Sequence, residues 1–147
     1  MTAMNIPTPG DDTLEGTLGT DIIDALAGDD DVDVFGGDDT VFGRQGFDGI
    51  EGGDGNDVLF GGDDQDILTG DADNDQLFGN AGNDFLFGGS GIDTLDGGNG
   101  NDDVRAGLGN DFVFGGFGND TLRGDNGNDE VFGGFGNDRV FGNLGDD

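Results

Sequence analysis

The chain of 147 residues has no cysteine, histidine, tryptophan, tyrosine or lysine, and Ser90 is its only serine. Without cysteine it has no disulfide framework, and without cysteine and histidine it lacks the usual ligands of zinc and copper. The side chains that perform most acid–base and nucleophilic catalysis are nearly absent, which disfavours an enzyme. Carboxylates are abundant, but their regular spacing is better explained by metal binding than by glycoside hydrolysis.

Positive charge is also scarce, because four arginines face 34 acidic residues and the formal net charge is −30. The chain contains 35 glycines and only 31% hydrophobic residues, a composition that is typical of disorder. Self-repulsion and the backbone entropy of glycine both oppose folding of the chain by itself. Nucleic acid is a poor partner, because its phosphates would meet a strongly negative surface.

Long apolar runs are missing as well. No segment approaches the length that spans a membrane, and residues 1–10 lack the positive and apolar regions of a cleavable signal peptide. The length of the chain fits one domain. We therefore expect a single domain without a membrane span or a cleavable leader.

A nine-residue repeat dominates what is present. Residues 52–60 read Gly-Gly-x-Gly-x-Asp-x-aliphatic-x, and this frame continues without insertion from residue 7 to residue 147. Position 8 is always leucine, isoleucine or valine, and position 6 is always aspartate. A period this regular predicts a repeat architecture.

The residue types of one repeat predict its local structure. Glycines at positions 1, 2 and 4 allow positive φ and a tight turn that aims carbonyl oxygens at one point, with a carboxylate at its end. Positions 7 to 9 form one short strand, in which the position 8 side chain points inward and its neighbours point outward. One inward residue per repeat makes a continuous core only when the repeats stack.

The repeat resembles the hemolysin-type calcium-binding repeat of the RTX (repeats-in-toxin) family, and the resemblance covers residues 7–147. It implies an all-β fold, namely a right-handed parallel β-roll (a β-helix solenoid) with two nonapeptides, or 18 residues, per turn and about eight turns. It also implies that calcium lies between glycine turns stacked on one side, held by backbone carbonyls and position 6 carboxylates.

The resemblance assigns calcium ligands to four positions of the repeat, on two edges of the roll whose aspartates run from Asp12 to Asp138 and from Asp21 to Asp147. The position 6 ligands are Asp39, Asp48, Asp57, Asp66, Asp75, Asp84, Asp93, Asp102, Asp111, Asp120, Asp129, Asp138 and Asp147. The position 1 ligands are Gly52, Gly61, Gly70, Gly79, Gly88, Gly97, Gly115, Gly124 and Gly133. The position 2 ligands are Gly53, Gly62, Gly89, Gly98, Gly107, Gly116 and Gly134. The position 4 ligands are Gly55, Gly82, Gly91, Gly100, Gly109, Gly118, Gly127 and Gly136.

The net charge agrees with a roll filled with divalent cations. Eight turns leave seven gaps on each edge, so the roll holds at most about fourteen ions, whose charge of about +28 nearly cancels the −30 of the chain. Because every ligand is an oxygen atom, we expect Ca²⁺ rather than a softer metal.

The repeats divide into two parts of one continuous domain. Residues 1–6 are a lead-in, residues 7–51 are degenerate repeats, and residues 52–147 are regular repeats. Two interpretations of the degenerate part are compatible and stay open: metal that is weaker or absent in the first one or two turns, and an N-terminal cap of the kind that repeat proteins need. We expect altered turn geometry there, because Pro7, Ala25 and Val34 replace the position 1 glycine and Thr8, Thr17, Leu26, Phe35 and Arg44 occupy position 2.

Two features of the regular part also carry expectations. Asp64 and Asp73 replace position 4 glycines, and we expect them to tolerate the left-handed conformation with their side chains in solvent. Asparagine recurs at position 5, where we expect it to bond its own backbone as turn residues do.

An aromatic line is predicted on one outer face. At position 9 of alternate repeats the chain carries what we call the Phe stripe, interrupted only by Asp96 and about 24 Å long at about 4.8 Å per strand. The stripe either stiffens its sheet or marks a contact surface. We expect calcium-dependent dimers or end-to-end filaments, formed through the stripe or through the open coil ends. The stripe consists of Phe42, Phe60, Phe78, Phe114 and Phe132.

Together these observations favour a calcium-binding module that folds outside the cell on binding many Ca²⁺ ions and acts in structure or assembly. The resemblance adds export by a type I secretion system and an extracellular or cell-surface location. A calcium-dependent adhesin or a self-assembling filament subunit is the alternative, and the repeat region of a larger secreted enzyme or toxin is less favoured. Ice binding is disfavoured, because position 3 carries no threonine ladder. Since the chain stops within a repeat, we expect a piece of a longer protein or ends completed by another chain.

Overall fold

The structure is a computed structural model that describes residues 6–147. The predicted lead-in therefore lies outside the described residues, except for Ile6. The described part consists of fifteen β-strands joined by turns, in two parallel sheets. No helix in residues 6–147 is long and apolar enough to cross a membrane.

Consecutive strands alternate between the two sheets. The eight-stranded sheet contains, in spatial order, β1 (Thr13–Glu15), β3 (Asp31–Asp33), β5 (Gly49–Asp54), β7 (Ile67–Ala72), β9 (Phe85–Ser90), β11 (Asp103–Leu108), β13 (Thr121–Asn126) and β15 (Arg139–Leu144). The seven-stranded sheet contains β2 (Ile22–Asp24), β4 (Thr40–Gln45), β6 (Val58–Asp63), β8 (Gln76–Ala81), β10 (Thr94–Asn99), β12 (Phe112–Phe117) and β14 (Glu130–Phe135).

The strand pairing confirms the 18-residue period. Leu59 pairs with Leu77 and Leu77 with Leu95, so each strand lies beside the equivalent strand one turn later. Fifteen strands at two per turn make about seven turns, slightly fewer than the eight predicted from the aspartates. The all-β solenoid with two nonapeptides per turn is thus confirmed.

The strands are longer than the repeat pattern predicted. From β4 onward each strand has six residues and continues through positions 1 to 3 of the next repeat, whereas β1, β2 and β3 keep the predicted three residues. The prediction of three-residue strands was wrong because the ladder survives past the glycines: Phe60 pairs with Phe78, and Gly62 still pairs with Asn80. The turns are confined to positions 4 to 6.

The core is wider than one aliphatic residue per repeat. The position 8 residues are buried as predicted, apart from Ile23, Val131 and Val140, the last being 47% exposed. Positions 6 and 1 also face inward, since the position 6 aspartates from Asp30 to Asp129 are buried and so are Ala25, Val34 and Ala106 at position 1. Each repeat therefore directs three residues into the roll, of which one is ionisable.

Turn geometry in the degenerate part is regular from Leu26 onward. Leu26, Phe35 and Arg44 adopt φ of 85°, 62° and 89°, which is the left-handed conformation that glycine takes at position 2 elsewhere. Asp64 and Asp73, at φ of 76° and 74°, confirm the tolerance predicted for position 4, and both are exposed.

The Phe stripe is present as a stack of rings on the seven-stranded sheet. The centroids of Phe42 and Phe60 are 5.1 Å apart, and those of Phe60 and Phe78 are 5.0 Å apart. Beyond Asp96 the stack resumes with Phe114 and Phe132 at 5.3 Å. The predicted alignment is confirmed, and the stacking shows that neighbouring rings already cover each other's faces.

Candidate metal centre

The position 6 aspartates form two ladders along the edges of the roll. The backbone N–H of Asp57 donates to Oδ1 of Asp75 at 2.9 Å, and the N–H of Asp75 donates to Oδ1 of Asp93 at 2.9 Å. The same bond recurs every 18 residues on both edges, from Asp12 to Asp138 and from Asp21 to Asp147. The structure thus brings the predicted aspartates together in the two predicted series.

The second carboxylate oxygen of these residues has no partner. In residues 6–147, twelve aspartates are at most 3% exposed and have a buried Oδ2 atom without a hydrogen bond. Such a group is costly because burial removes water without replacing its hydrogen bonds. The twelve are Asp30, Asp39, Asp48, Asp57, Asp66, Asp75, Asp84, Asp93, Asp102, Asp111, Asp120 and Asp129.

The position 1 glycines leave room beside this orphaned oxygen. A Cβ added to Gly52 would lie 2.5 Å from Asp57 Oδ2 and 3.1 Å from the carbonyl oxygen of Gly70 in the next turn. Gly52 has no positive φ, so glycine is needed here for space and not for conformation. An aspartate Oδ2 of the same repeat likewise lies beside Gly61, Gly70, Gly79, Gly88, Gly97, Gly115, Gly124 and Gly133.

The glycines at positions 2 and 4 face carbonyl oxygens of the previous turn. A Cβ added to Gly89 would strike the carbonyl of Asp71, and one added to Gly91 would strike the carbonyl of Asp73. The carbonyl of Gly88 points the other way, 2.7 Å from a Cβ added to Gly70. Backbone carbonyls of both neighbouring turns therefore lie close to the turn glycines. The same contact with the residue one turn earlier recurs at Gly53, Gly55, Gly62, Gly82, Gly98, Gly100, Gly107, Gly109, Gly116, Gly118, Gly127, Gly134 and Gly136.

This set of donors fits calcium better than any other common metal. No three acidic, histidine or cysteine side chains converge anywhere in residues 6–147, so carboxylates alone do not make a site. Each gap instead combines a desolvated carboxylate oxygen with several backbone carbonyls, and hard oxygen donors in a flexible arrangement are what Ca²⁺ prefers.

Comparison with known families matches overlapping segments of the chain to the RTX calcium-binding nonapeptide repeat, at residues 7–41, 21–50, 33–68, 42–77, 60–95, 78–113 and 114–147. The chain belongs to this RTX family. No curated protein matches the sequence. Membership makes the RTX roll a calcium-binding repeat module, and the orphaned oxygens are where its cations would be held.

The first turn of this RTX roll on each edge is built differently. Oδ2 of Asp12 accepts hydrogen bonds from the backbone N–H of Thr8 at 2.6 Å and from its hydroxyl at 3.0 Å. Thr17 donates in the same way to Asp21, at 2.6 and 2.9 Å. These two carboxylates are satisfied within their own loops, which supports both interpretations of the degenerate repeats. At the other end, Asp138 is half-buried and Asp147 is exposed.

The position 5 asparagines connect adjacent turns. Oδ1 of Asn101 accepts from the backbone N–H of Asn119 at 2.8 Å, and Oδ1 of Asn119 accepts from Asn137 at 3.0 Å. The prediction that these asparagines bond their own backbone was wrong. The backbone N–H of the equivalent residue in the next turn lies within hydrogen-bonding distance of each Oδ1 instead. Only the 18-residue spacing could have indicated this outer asparagine ladder from the sequence. The same holds for the burial of the Ala25 and Val34 side chains.

Burial raises the pKa of the twelve ladder aspartates whose Oδ2 is buried. The pKa of Asp66 is raised to about 8 and those of Asp75 and Asp102 to about 7, first by desolvation and further by neighbouring carboxylates. The backbone N–H of the previous turn acts in the opposite direction. The pKa is raised to about 6, again first by desolvation, at Asp48, Asp84 and Asp111.

We expect the metal-free roll to be more stable in acid. Since these folded-state pKa values lie above the ordinary 3.8, the aspartates favour folding below about pH 4 and lose that contribution as pH rises through about 6 to 8. Far-UV circular dichroism of the metal-stripped chain should show more β-structure at about pH 4 than at about pH 8.5. Asp66→Asn, which is neutral throughout, should reduce the difference; identical spectra for the wild-type chain at both pH values would contradict the buried ladder.

A ladder aspartate in mid-stack should matter more than one in the first turn. Asp93 lies between two gaps, whereas the carboxylate of Asp12 already accepts two bonds from Thr8. We expect Asp93→Ala to raise the calcium midpoint about tenfold and to weaken cooperativity, because coupling between neighbouring turns is lost. Asp12→Ala should have much less effect. Calcium titrations followed by circular dichroism measure both variants, and equal shifts would argue against the stacked sites.

Proposed function

We propose that this RTX chain is a structural module that is unfolded where calcium is scarce and folds where calcium is plentiful, outside the cell. The observation that carries the proposal is the row of twelve buried Oδ2 atoms without a partner. At neutral pH these carboxylates are charged in the unfolded chain, and burying them without a counter-charge opposes folding. A bound divalent cation supplies that counter-charge, so its binding free energy becomes folding free energy.

The finer parts of the proposal follow from family membership and charge. Export in the unfolded state by a type I secretion system fits a chain that folds only in external calcium. We propose up to about fourteen Ca²⁺ ions, with the clearest donor sets at the twelve aspartates whose Oδ2 is unpaired. The scarcity of catalytic side chains supports a structural role over an enzymatic one.

Circular dichroism tests the coupling of folding to calcium. In chelator at about neutral pH we expect the spectrum of a disordered chain, and in millimolar calcium the spectrum of a β-protein with a cooperative transition. Magnesium at the same concentration is the control, and we expect it to be weaker because its octahedral geometry is stricter. A full β-spectrum in chelator would falsify the proposal.

A second candidate function, assembly or adhesion, rests on the Phe stripe. Phe114 and Phe132 remain 37% and 49% exposed although they stack on each other, and an exposed aromatic row on an acidic chain favours a contact surface. We propose self-association of the calcium-loaded roll through this face, with the coil ends as the alternative interface.

Sedimentation in saturating calcium distinguishes these interfaces. We expect the wild-type chain to associate and Phe60→Ser/Phe78→Ser to lose the association made through the stripe, because the double change removes two rings of the stack. The matched control is Phe117→Ser/Phe135→Ser, a stacked pair of rings on the same sheet that lies outside the stripe. If the stripe variant assembles like the wild type, the stripe is not the interface, and a wild type that stays monomeric removes self-association altogether.

A further inference from the structure

The outer face of the eight-stranded sheet is divided by charge. At positions 7 and 9 its first three strands, β1, β3 and β5, carry acids and no base, and we call this the acidic half. Its last three strands, β11, β13 and β15, carry three of the four arginines of the chain and one acid, and we call this the arginine half. The acidic half contains Glu15, Asp31, Asp33 and Glu51, and the arginine half contains Arg105, Arg123, Arg139 and Asp103.

Between the two halves lie two strands, β7 and β9, that carry no charge at positions 7 and 9, although Asp71 is exposed at position 2 of β7. At positions 7 and 9 β7 has Ile67 and Thr69, and β9 has Phe85 and Phe87. Ile67 and Phe85 are exposed apolar residues at adjacent places in the register. The face is therefore acidic, then apolar, then basic along the axis of the roll.

The charges of the arginine half are only partly neutralised within the chain. Arg123 Nη1 lies 2.7 Å and Arg105 Nε lies 3.5 Å from the same oxygen, Oδ1 of Asp103. Arg139 makes no ion pair with any residue of the described range 6–147. Asp125, at position 2 of β13, borders this half, which still carries an excess of positive charge.

The acidic half has no counter-charge on its own face. The pKa of Glu51 is raised by burial and further by the carboxylates of Asp71, Asp33 and Asp31, as expected for crowded like charges. No arginine of the chain pairs with this half, because Arg44 on the other sheet is bound to Asp24 at 2.8 Å. The acidic half therefore has unpaired negative charge, and the arginine half has the excess of positive charge that could neutralise it.

We propose that a second copy of this chain docks on this face, related by a two-fold axis between β7 and β9. The strand order places β5 opposite β11 of the second copy, β3 opposite β13 and β1 opposite β15. Glu51 then meets Arg105, and Glu15 meets Arg139, on strands equally far from the axis. The central apolar residues of the two copies meet each other. A two-fold interface requires such self-complementarity.

The dimensions of the face are adequate for a dimer. Six strands of six residues and two of three residues, with seven intervals of about 4.8 Å between them and about 3.3 Å per residue, offer roughly 580 Å² per copy. A standard interface buries about 800 Å² per partner, so turn residues at the margin would complete it. The seven-stranded sheet lacks this division, because its outward charges at positions 7 and 9 are all acidic: Asp24, Asp96 and Glu130.

This inference rests on the proposed calcium-driven folding, since the face exists only in the folded roll. The test therefore uses the full chain in saturating calcium, with circular dichroism to establish folding and analytical ultracentrifugation to measure association. One variant, Arg105→Glu/Arg139→Glu, reverses two of the three arginines of this face and leaves Arg123, which is bound to Asp103. The other, Glu15→Arg/Glu51→Arg, removes the acids that face those arginines and adds positive charge.

We expect the wild-type chain to dimerise and each variant to dimerise about tenfold or more weakly, because like charges then face each other. An equimolar mixture of the two variants should form a one-to-one heterodimer, since opposite charges meet again at both ends of the interface. Raising salt to about 1 M should weaken the wild-type dimer, because screening then acts within about 3 Å.

The control carries the same change of charge elsewhere. Asp63→Arg/Glu130→Arg lies on the seven-stranded sheet and should dimerise like the wild type.

A folded wild type that stays monomeric, or reversed variants that dimerise normally, overturns the inference while leaving calcium-driven folding intact. Dimers broken by Phe60→Ser/Phe78→Ser but not by charge reversal place the interface on the Phe stripe. A chain that calcium does not fold removes the underlying proposal instead.

Discussion

The fold depends on the position 6 aspartate, whose buried Oδ2 atom has no hydrogen-bond partner. Oδ1 of the position 6 aspartate caps the backbone N–H of the turn before it, as Asp75 does for Asp57. This bond fixes the spacing of the turns and at the same time draws Oδ2 out of water, where nothing in the chain binds it. The bond that stacks the turns and the charge that opposes stacking thus belong to the same side chain, and under the proposed function an external cation would complete the folding reaction.

Glycine serves two physical purposes in the repeat. At position 1 it provides room, since a Cβ on Gly52 would enter the space beside Asp57 Oδ2. At position 2 it provides a conformation that other residues can also adopt, as Leu26 and Phe35 do at positive φ. At native position 2 residues such as Phe35 the turn accepts a side chain, whereas a Cβ added to Gly89 would strike the carbonyl of Asp71. At position 1 Val34 puts a buried apolar side chain where other repeats have glycine. The degenerate repeats keep the shape of the roll.

The strand pairing, the aspartate series and the aromatic stack could be predicted from the sequence, because one strict period determines all three. The pairing of Leu59 with Leu77, the two aspartate series and the stacked Phe60 and Phe78 all follow from 18 residues per turn. The length of the strands could not be predicted, because the sequence pattern does not reveal that a position 2 residue with positive φ still pairs with the neighbouring strand. The bonds of Asn119 were also missed, because a local turn and a stacked turn offer equivalent donors and only the three-dimensional spacing selects one.

Stacking of the turns restricts which residue types can occupy the inward positions of the repeat, and it does not restrict the outward positions. Positions 6, 8 and 1 repeat the same three roles along the whole roll, so they carry no information specific to this chain. Positions 7 and 9 are free to vary, and they vary in an ordered way: aromatic rings on one sheet, and opposite charges at opposite ends of the other. Three of the four arginines lie on adjacent strands of one face, β11, β13 and β15. The contacts that are specific to this module are therefore to be sought on its two outer faces.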